Sequence, residues 1–235
     1  MIEIWPAIDI IDGKNVRLTE GDYDTKEQMK RTPEEAIAFY ATYPQVKRIH
    51  IIDLIGAKQE SPAEQDTIRQ LIAKSTLPVE IGGGIRSVET IQHYFEMGAD
   101  YLIVGTKGLT DMAWLKSTAE QYPGRIYLAV DAFKEDIALN GWLETSSFTV
   151  TDMIQTINDY PLGGVIYTDI TKDGKMNGPN FEITEKLIQL SKLPVIASGG
   201  VRHAEDIKRL EAIGAHAAIV GKACNKDAFW EGLND

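Results

Sequence analysis

Short apolar runs alternate with amphipathic segments along almost the whole chain. The apolar runs contain few polar residues, which is typical of parallel strands buried on both faces. The predicted strands are Ile2–Asp9, Arg48–Asp53, Val79–Ile81, Tyr101–Val104, Ile126–Asp131, Gly164–Thr168, Val195–Ala197 and Ala217–Val220. A segment with apolar residues at helical spacing follows each of them. The predicted helices are Pro33–Tyr43, Pro62–Ser75, Val88–Met97, Met112–Gln121, Thr151–Asn158, Phe181–Ser191, Ala204–Ile213 and Asp227–Leu233.

The second half of the chain repeats the first at an offset of 116 residues. Leu77–Arg86 is similar to Leu193–Arg202, and Ile49–Asp53 is similar to Val165–Asp169. A repeat of four βα units favours a barrel over a Rossmann sheet, whose switch point breaks this symmetry. The expected fold class is therefore α/β, a single (β/α)8 TIM barrel over residues 1–235, built from two repeated (β/α)4 halves.

Helix starts and long polar stretches add detail to this picture. Thr32 before Pro33 and Ser61 before Pro62 each place a cap residue in front of a proline in the first turn. Polar stretches longer than a minimal βα loop follow predicted strands one, five and six, at Asp12–Arg31, Lys134–Ser147 and Thr171–Asn180. We expect them on the carboxyl-terminal face of the barrel, where such folds carry their sites.

Charge and composition exclude several classes of partner. The net charge of -11 argues against nucleic acid, because binding its phosphates needs a basic face. It leaves open a small phosphorylated ligand held by backbone N–H groups and a few cationic side chains. Cys224 is the one cysteine, which suits a reducing compartment. The first residues lack the basic region of a signal peptide, and no apolar run approaches the ~20 residues of a membrane helix. We expect a cytoplasmic protein without a membrane partner.

Glycine clusters follow four of the predicted strands. The first cradle, as we name it, comprises Gly82–Gly84 and Gly105–Thr106, and the second cradle comprises Ser198–Gly200 and Gly221–Lys222. Glycine lets the backbone approach an anion, and a helix N-terminus behind it favours phosphate. In a ring of eight strands the two cradles face each other, which predicts a ligand with a phosphate at each end. The alternative is that these glycines only make tight turns.

Arg86 and Arg202 lie two residues beyond these glycines. Each is a candidate for a bidentate phosphate contact, and equally for a surface residue near a helix start.

Carboxylates mark the ends of the remaining strands. Asp9 and Asp131 end predicted strands one and five and should face each other over the middle of the ligand, as an acid and a base would. Capping or salt bridging at a strand end is the alternative. Asp53 and Asp169 form a second pair related by the repeat. Thr168 and Asp173 are further polar groups near predicted strand six.

The histidines and the loop tryptophan are weaker candidates. His50, His93, His203 and His216 are scattered without metal-ligand spacing, so no metal site is expected. Trp142, in the stretch after predicted strand five, is a candidate for stacking on a planar heterocycle, although packing its loop is the commoner use of such a residue.

Motifs along the whole chain resemble the HisA family of phosphoribosylformimino-5-aminoimidazole carboxamide ribotide isomerases. The segments that carry the resemblance are Trp5–Ile10, Gly13–Leu18, Ile81–Arg86, Ala129–Ala132 and Tyr167–Asn180. The resemblance implies an Amadori rearrangement of a bisphosphorylated aminoaldose to an aminoketose in histidine biosynthesis, with no cofactor. We expect a monomer. The motif after predicted strand two departs from the family pattern, with Ile55 before Gly56 and Lys58–Ser61 lacking an expected glycine.

The resemblance also implies roles for individual residues. Asp9 is the general base that removes the C2′ proton, either Asp131 or Asp173 is the acid, and Thr168 orients groups beside them. Arg17, on the loop after strand one, closes over the ligand, and Trp142 stacks on the aminoimidazole carboxamide. The full set of expected ligand contacts is Arg17, Asp53, Gly83, Gly84, Arg86, Gly105, Thr106, Trp142, Asp169, Gly199, Gly200, Arg202, Gly221 and Lys222.

Three rival functions share much of this pattern. The sister HisF cyclase has the same barrel, repeat and facing aspartates and works with a glutaminase partner, but it usually has cysteine where this chain has Ala7. The PriA-type isomerase also accepts phosphoribosylanthranilate. An inactive barrel that senses a phosphorylated metabolite is the alternative outside enzymes.

Overall fold

The computed structural model describes residues 1–139, 142 and 144–234. Its strands are β1 (Glu3–Ile11), β2 (Lys14–Thr19), β3 (Asp22–Gln28), β4 (Ile49–Asp53), β5 (Val79–Gly82), β6 (Tyr101–Val104), β7 (Ile126–Phe133), β8 (Asp136–Leu139), β9 (Glu144–Thr149), β10 (Gly164–Asp169), β11 (Val195–Ser198) and β12 (Ala217–Val220). Its α-helices are α1 (Pro33–Tyr40), α2 (Leu54–Gln59), α3 (Gln65–Lys74), α4 (Val88–Met97), α5 (Thr106–Thr110), α6 (Met112–Gln121), α7 (Val150–Ile157), α8 (Phe181–Leu190), α9 (Ala204–Ala212) and α10 (Asp227–Gly232). A short 3-10 helix covers Lys222–Asn225.

Eight of these strands form a closed parallel barrel. The pairing follows the order β1, β4, β5, β6, β7, β10, β11, β12, and β12 pairs with β1 to close the ring. Helices connect consecutive barrel strands, as in the (β/α)8 fold. The predicted fold class is therefore confirmed.

Two apolar layers hold the barrel together. On β1, Ile4 and Ile8 pack in the layer between the strands and the surrounding helices, whereas Trp5 and Ala7 pack inside the ring. Because side chains alternate along a strand, each barrel strand contributes to both layers. The inner layer fills the barrel, so the site above it rests on a packed core.

The predicted strands and helices are all present, with ends displaced by less than one helical turn. The predicted loops hide more structure. Asp12–Arg31 contains β2 and β3, which extend antiparallel from β1. Lys134–Ser147 contains β8 and most of β9, and its residues Asn140, Gly141 and Leu143 lie outside the described residues. These hairpins were missed because their polar outer faces carry too few apolar residues for a strand signal.

One of the two predicted helix caps is correct. Thr32 caps α1 through a capping box with Glu35. The cap at Ser61 is wrong, because α3 begins only at Gln65, and Glu64 before it provides no side-chain cap. The carboxylate of Asp53 accepts hydrogen bonds from Ala63 N and Glu64 N, at 2.7 and 2.9 Å, and so holds this segment in a loop. A distant side chain thus replaces the local cap.

Within the described part of the chain, no helix is both long and apolar enough to cross a bilayer.

Candidate functional site

A cavity of about 720 Å³ lies at the carboxyl ends of the barrel strands. Its floor is made by inward-facing side chains of the inner layer, including Ala7, Ile103 and Ile166. Its rim is formed by the segments that follow the strands. This is the face on which (β/α)8 folds carry their sites, as the long polar stretches predicted.

Strand periodicity aims three predicted site residues into this cavity. On β1 the inward positions continue from Ala7 to Asp9, and on β7 they continue from Ala129 to Asp131. On β10, Thr168 follows Ile166 in the same way and pairs in register with Asp131. Side chains two residues apart on a strand lie on the same face. Each polar side chain at a strand end therefore points in the same direction as the inward apolar residues that precede it.

Asp9 is held by a buried arginine. Arg17 Nη1 lies 2.9 Å from Asp9 Oδ2, and Arg17 comes from β2 rather than from an irregular loop. Burial disfavours the charge on Arg17, but Asp9, with smaller effects from Tyr40 and Asp173, raises the pKa of the guanidinium overall. The guanidinium also packs against Gly221 of the second cradle, where a Cβ atom would come within 3.3 Å of Arg17 Nε. Arg17 therefore connects the Asp9 carboxylate to the second cradle.

Asp173 lies on the segment between β10 and α8 and faces the same cavity. Burial raises the pKa of its carboxyl to about 7, and the negative charges of Asp9 and Asp131 add to the effect, while Arg17 and Lys222 oppose it. Glu20 N donates to the Asp173 backbone oxygen at 3.1 Å, so the β2–β3 turn holds this residue in place. Near neutral pH, Asp173 can carry a proton that it can donate.

Asp131 is covered by Trp142. Trp142 Nε1 donates to Asp131 Oδ2 at 3.0 Å, and the indole ring packs against Gly21, where no Cβ could fit. Burial raises the pKa of Asp131, although Trp142 and Thr168 oppose this effect. Trp142 therefore spans the cavity mouth from the β7–β9 side to the β2–β3 turn. It is placed both to pack its loop and to present a ring to the cavity.

Both cradles line the cavity, on opposite sides of the ring. The first follows β5 and β6 and the second follows β11 and β12. Gly83 and Gly84 have φ angles of 109° and 73°, and Gly199 and Gly200 have 89° and 83°. These left-handed conformations favour glycine and turn the backbone towards the cavity. The opposed arrangement predicted from the repeat is present.

Three of the expected ligand contacts do not reach the cavity wall. Asp53 is fully buried and accepts from the N–H of Gly56 at 2.6 Å, in addition to its two bonds to the segment before α3. Asp169 is buried and accepts from Thr171 and Asn180. Both carboxylates organise the segment that follows their own strand.

Arg202 is the third expected ligand contact that does not reach the cavity wall. Its Nε and Nη2 atoms donate to the Asp206 carboxylate at 3.0 and 2.7 Å. Arg86 and Lys222, in contrast, line the cavity. Arg86 Nη1 is 2.9 Å from Glu60 Oε2, and Lys222 Nζ is 3.9 Å from Glu27 Oε2.

His50 is a cavity residue that the sequence reasoning set aside. It lies on β4 between Arg48 and Ile52, which also point inward, and its Nδ1 contacts Glu80 Oε1 at 2.5 Å. From the sequence, the histidines were judged only by metal-ligand spacing. Strand periodicity could have identified His50, because it falls on the inward face of its strand. Among the described residues, no group of three or more His, Cys, Asp or Glu side chains is arranged to hold a metal ion.

A closed ring of eight parallel strands with a polar cavity at its carboxyl end defines a protein of the (β/α)8-barrel class. The model of a protein family described as histidine biosynthesis protein matches residues 3–229 of this chain. The chain belongs to that family.

Proposed function

We propose that this protein is the isomerase that converts the bisphosphorylated aminoaldose ProFAR to the aminoketose PRFAR. One observation carries the proposal: Asp9, Asp131 and Asp173 line a single cavity between two opposed glycine cradles. A proton-transfer isomerisation of a ligand with a phosphate at each end needs this combination of acids and anion grips. Membership of the histidine biosynthesis family supports it.

Asp9 is the base in this proposal and Asp173 is the acid. The Asp9 carboxylate lines the cavity, is held by the Arg17 guanidinium at 2.9 Å, and can accept a proton from a bound ligand. Asp173, with a pKa of about 7, can hold the proton that the reaction needs. Asp131 remains the alternative acid, because burial raises the pKa of its carboxyl, although the hydrogen bond from Trp142 Nε1 opposes this effect.

The chemistry follows from these protonation states. Asp173 donates its proton to the ribose ring oxygen, the C1′–O bond breaks, and a protonated imine forms at C1′. Asp9 then removes the proton from C2′, which gives an enaminol. Transfer of the C2′ hydroxyl proton, with protonation of C1′, completes the aminoketose. Thr168 beside Asp131 orients the polar groups during these steps.

The phosphates bind the two cradles, with Arg86 near the first and Arg17 and Lys222 near the second. The Trp142 indole, at the mouth, stacks on the carboxamide heterocycle between them. A ligand with both phosphates should therefore bind far more tightly than either half alone, because the two grips act at once.

The decisive assay incubates the purified protein with the aminoaldose and follows the absorbance change of isomerisation, with the Asp9→Asn protein as the blank. Conversion by the wild type alone supports the proposal. No conversion of the aminoaldose would refute it. Ammonia-dependent release of imidazole glycerol phosphate from the aminoketose would identify the cyclase instead, and turnover of phosphoribosylanthranilate would reveal the broader isomerase. Ala7 favours the isomerase over the cyclase.

A further inference from the structure

A buried ion pair lies directly beneath the cavity floor. Glu80, on β5, is fully buried and has Arg48 Nη1 at 2.9 Å from Oε2 and His50 Nδ1 beside Oε1. The Arg48 guanidinium is enclosed by the rings of Trp5, Tyr101 and Tyr127, with its carbon 3.5 Å from the centre of Tyr101. None of the proposed chemical steps uses this cluster.

The charges of the cluster decide where the proton of His50 lies. Burial disfavours the charge on Arg48, but Glu80 and Tyr127 raise the pKa of the guanidinium on balance, so it stays charged. Glu80 is the anionic partner of Arg48 in this ion pair, and a carboxylate can only accept hydrogen bonds. His50 Nδ1 must therefore be the donor in its contact with Glu80.

This leaves Nε2 as the ring nitrogen available to the cavity that His50 lines. In an imidazole that carries its single proton on Nδ1, Nε2 is a hydrogen-bond acceptor. The other charged groups around the ring are Asp131, which lines the same cavity, and Asp9, two residue pairs further along the neighbouring strand β1. Both already have cavity-side partners in Trp142 and Arg17.

We propose that Glu80 and Arg48 act as positioning residues that fix His50 in its Nδ1–H tautomer, so that Nε2 accepts a hydrogen bond from a sugar hydroxyl of the ligand. The identity of the ligand rests on the proposed function, whereas the tautomer does not.

An isosteric change tests the tautomer sharply. In Glu80→Gln the amide oxygen must face Arg48, which only donates, so the amide NH2 faces His50 Nδ1 and makes it an acceptor. Nε2 then becomes the protonated nitrogen.

Nitrogen-15 NMR of histidine-labelled protein measures this directly. The chain has four histidines, and the His50→Gln spectrum identifies the signals of His50 by their loss. We expect Nδ1 to carry the proton in the wild type and Nε2 to carry it in Glu80→Gln. A wild-type His50 protonated only at Nε2, or a tautomer unchanged in a folded Glu80→Gln protein, overturns the proposal. If Glu80→Gln does not fold, the wild-type spectrum alone decides.

Two substitutions of His50 test the contact with the sugar. In His50→Asn the amide can still donate to Glu80 but has no atom at the position of Nε2. In His50→Gln the longer side chain reaches that position. We expect KM for the aminoaldose to rise about tenfold in His50→Asn, as for one lost hydrogen bond, and to recover partly in His50→Gln, with kcat changed less. An unchanged KM in His50→Asn overturns the sugar contact. A wild type with no isomerase activity would instead sink the proposed function and leave the NMR result standing.

Discussion

The two halves of the barrel differ in the segments that follow β4 and β10. Asp53 and Asp169 occupy equivalent places in the repeat, and both are buried carboxylates that bind donors of their own segment. Beyond them the first half forms the short helix α2 and has Ala57 facing the cavity. The second half has Asp173 at the equivalent position, with its raised pKa. Both halves therefore have the buried carboxylate that holds its own loop, whereas only the second half has the proposed catalytic acid, Asp173.

The two arginines after the cradles show the same divergence. Arg202 binds Asp206, whereas the residue equivalent to Asp206 in the first half is Thr90, which offers no charge. Arg86 turns to Glu60 instead and stays at the cavity wall. A single change of residue in the following helix, Thr90 against Asp206, therefore accompanies the difference between an arginine that lines the cavity and one that is bound to that helix.

The largest expected effect comes from Asp9, the proposed base. Asp9→Asn removes the group that accepts the C2′ proton, so we expect kcat to fall by about 10³–10⁴-fold while ligand affinity changes little. Steady-state kinetics and calorimetric titration measure the two quantities. Asp12→Asn is the matched control, because Asp12 is exposed near the end of the same strand. Turnover at the wild-type rate in Asp9→Asn would show that Asp9 is not the base.

Asp173→Asn should lower kcat by about 10²-fold and remove the fall in wild-type activity that we expect as pH rises through about 7. The stability of the wild type should also fall as pH rises. A folded-state pKa of about 7, above the ordinary 3.8, means that proton binding stabilises the fold and that this stabilisation is lost as pH rises. Asp173→Asn should therefore melt above the wild type at pH 8 and together with it near pH 4. Equal melting temperatures at pH 8 would contradict the assigned pKa.

Alanine substitutions at two equivalent glycines, Gly83 and Gly199, should cost different amounts of folding free energy. A Cβ at Gly83 would collide with the Asp53 backbone oxygen, whereas a Cβ at Gly199 would meet its nearest atom at an ordinary 3.4 Å. We expect Gly83→Ala to cost about 2–3 kcal/mol and Gly199→Ala, with only its positive φ against it, about 1 kcal/mol. Urea denaturation measures both. Equal costs would mean that the two cradles are packed alike.

The smallest expected effects distinguish the two arginines. Arg202→Gln leaves the buried Asp206 without its charged partner and should cost about 1–2 kcal/mol of folding free energy, with KM little changed. Arg86→Gln removes a cavity cation whose ion pair with Glu60 is partly exposed, so it should raise KM several-fold with little loss of stability. Urea denaturation and steady-state kinetics on both variants measure the two quantities, the free energy of unfolding and KM. The reverse pattern would place the phosphate contact at Arg202.

Sequence patterns predicted the barrel, its halves and most of the cavity wall, for a local reason. Asp9, Asp131 and Thr168 could be placed because strand periodicity carries an inward apolar face up to the strand end. Gly83 and Gly199 could be placed because left-handed turns need glycine. Asp53 and Asp169 looked equally suited to a ligand, since nothing adjacent in sequence reveals which N–H groups a carboxylate will bind. His50 was set aside because the histidines lack metal-ligand spacing, and its contact with Glu80, thirty residues away on the next strand, is not visible in the sequence.

The order of apolar and polar residues determined by itself that eight βα units close into a ring and that acids and glycines meet at one end. Periodicity and turn geometry act over a few residues, so they can be read from a string of letters. Only the tertiary structure decided which acids remain free to face the cavity, that Arg17 reaches Asp9, and that Arg48 and Glu80 hold His50. Those outcomes depend on contacts between distant segments, whose distances and burial set the charge that each group carries.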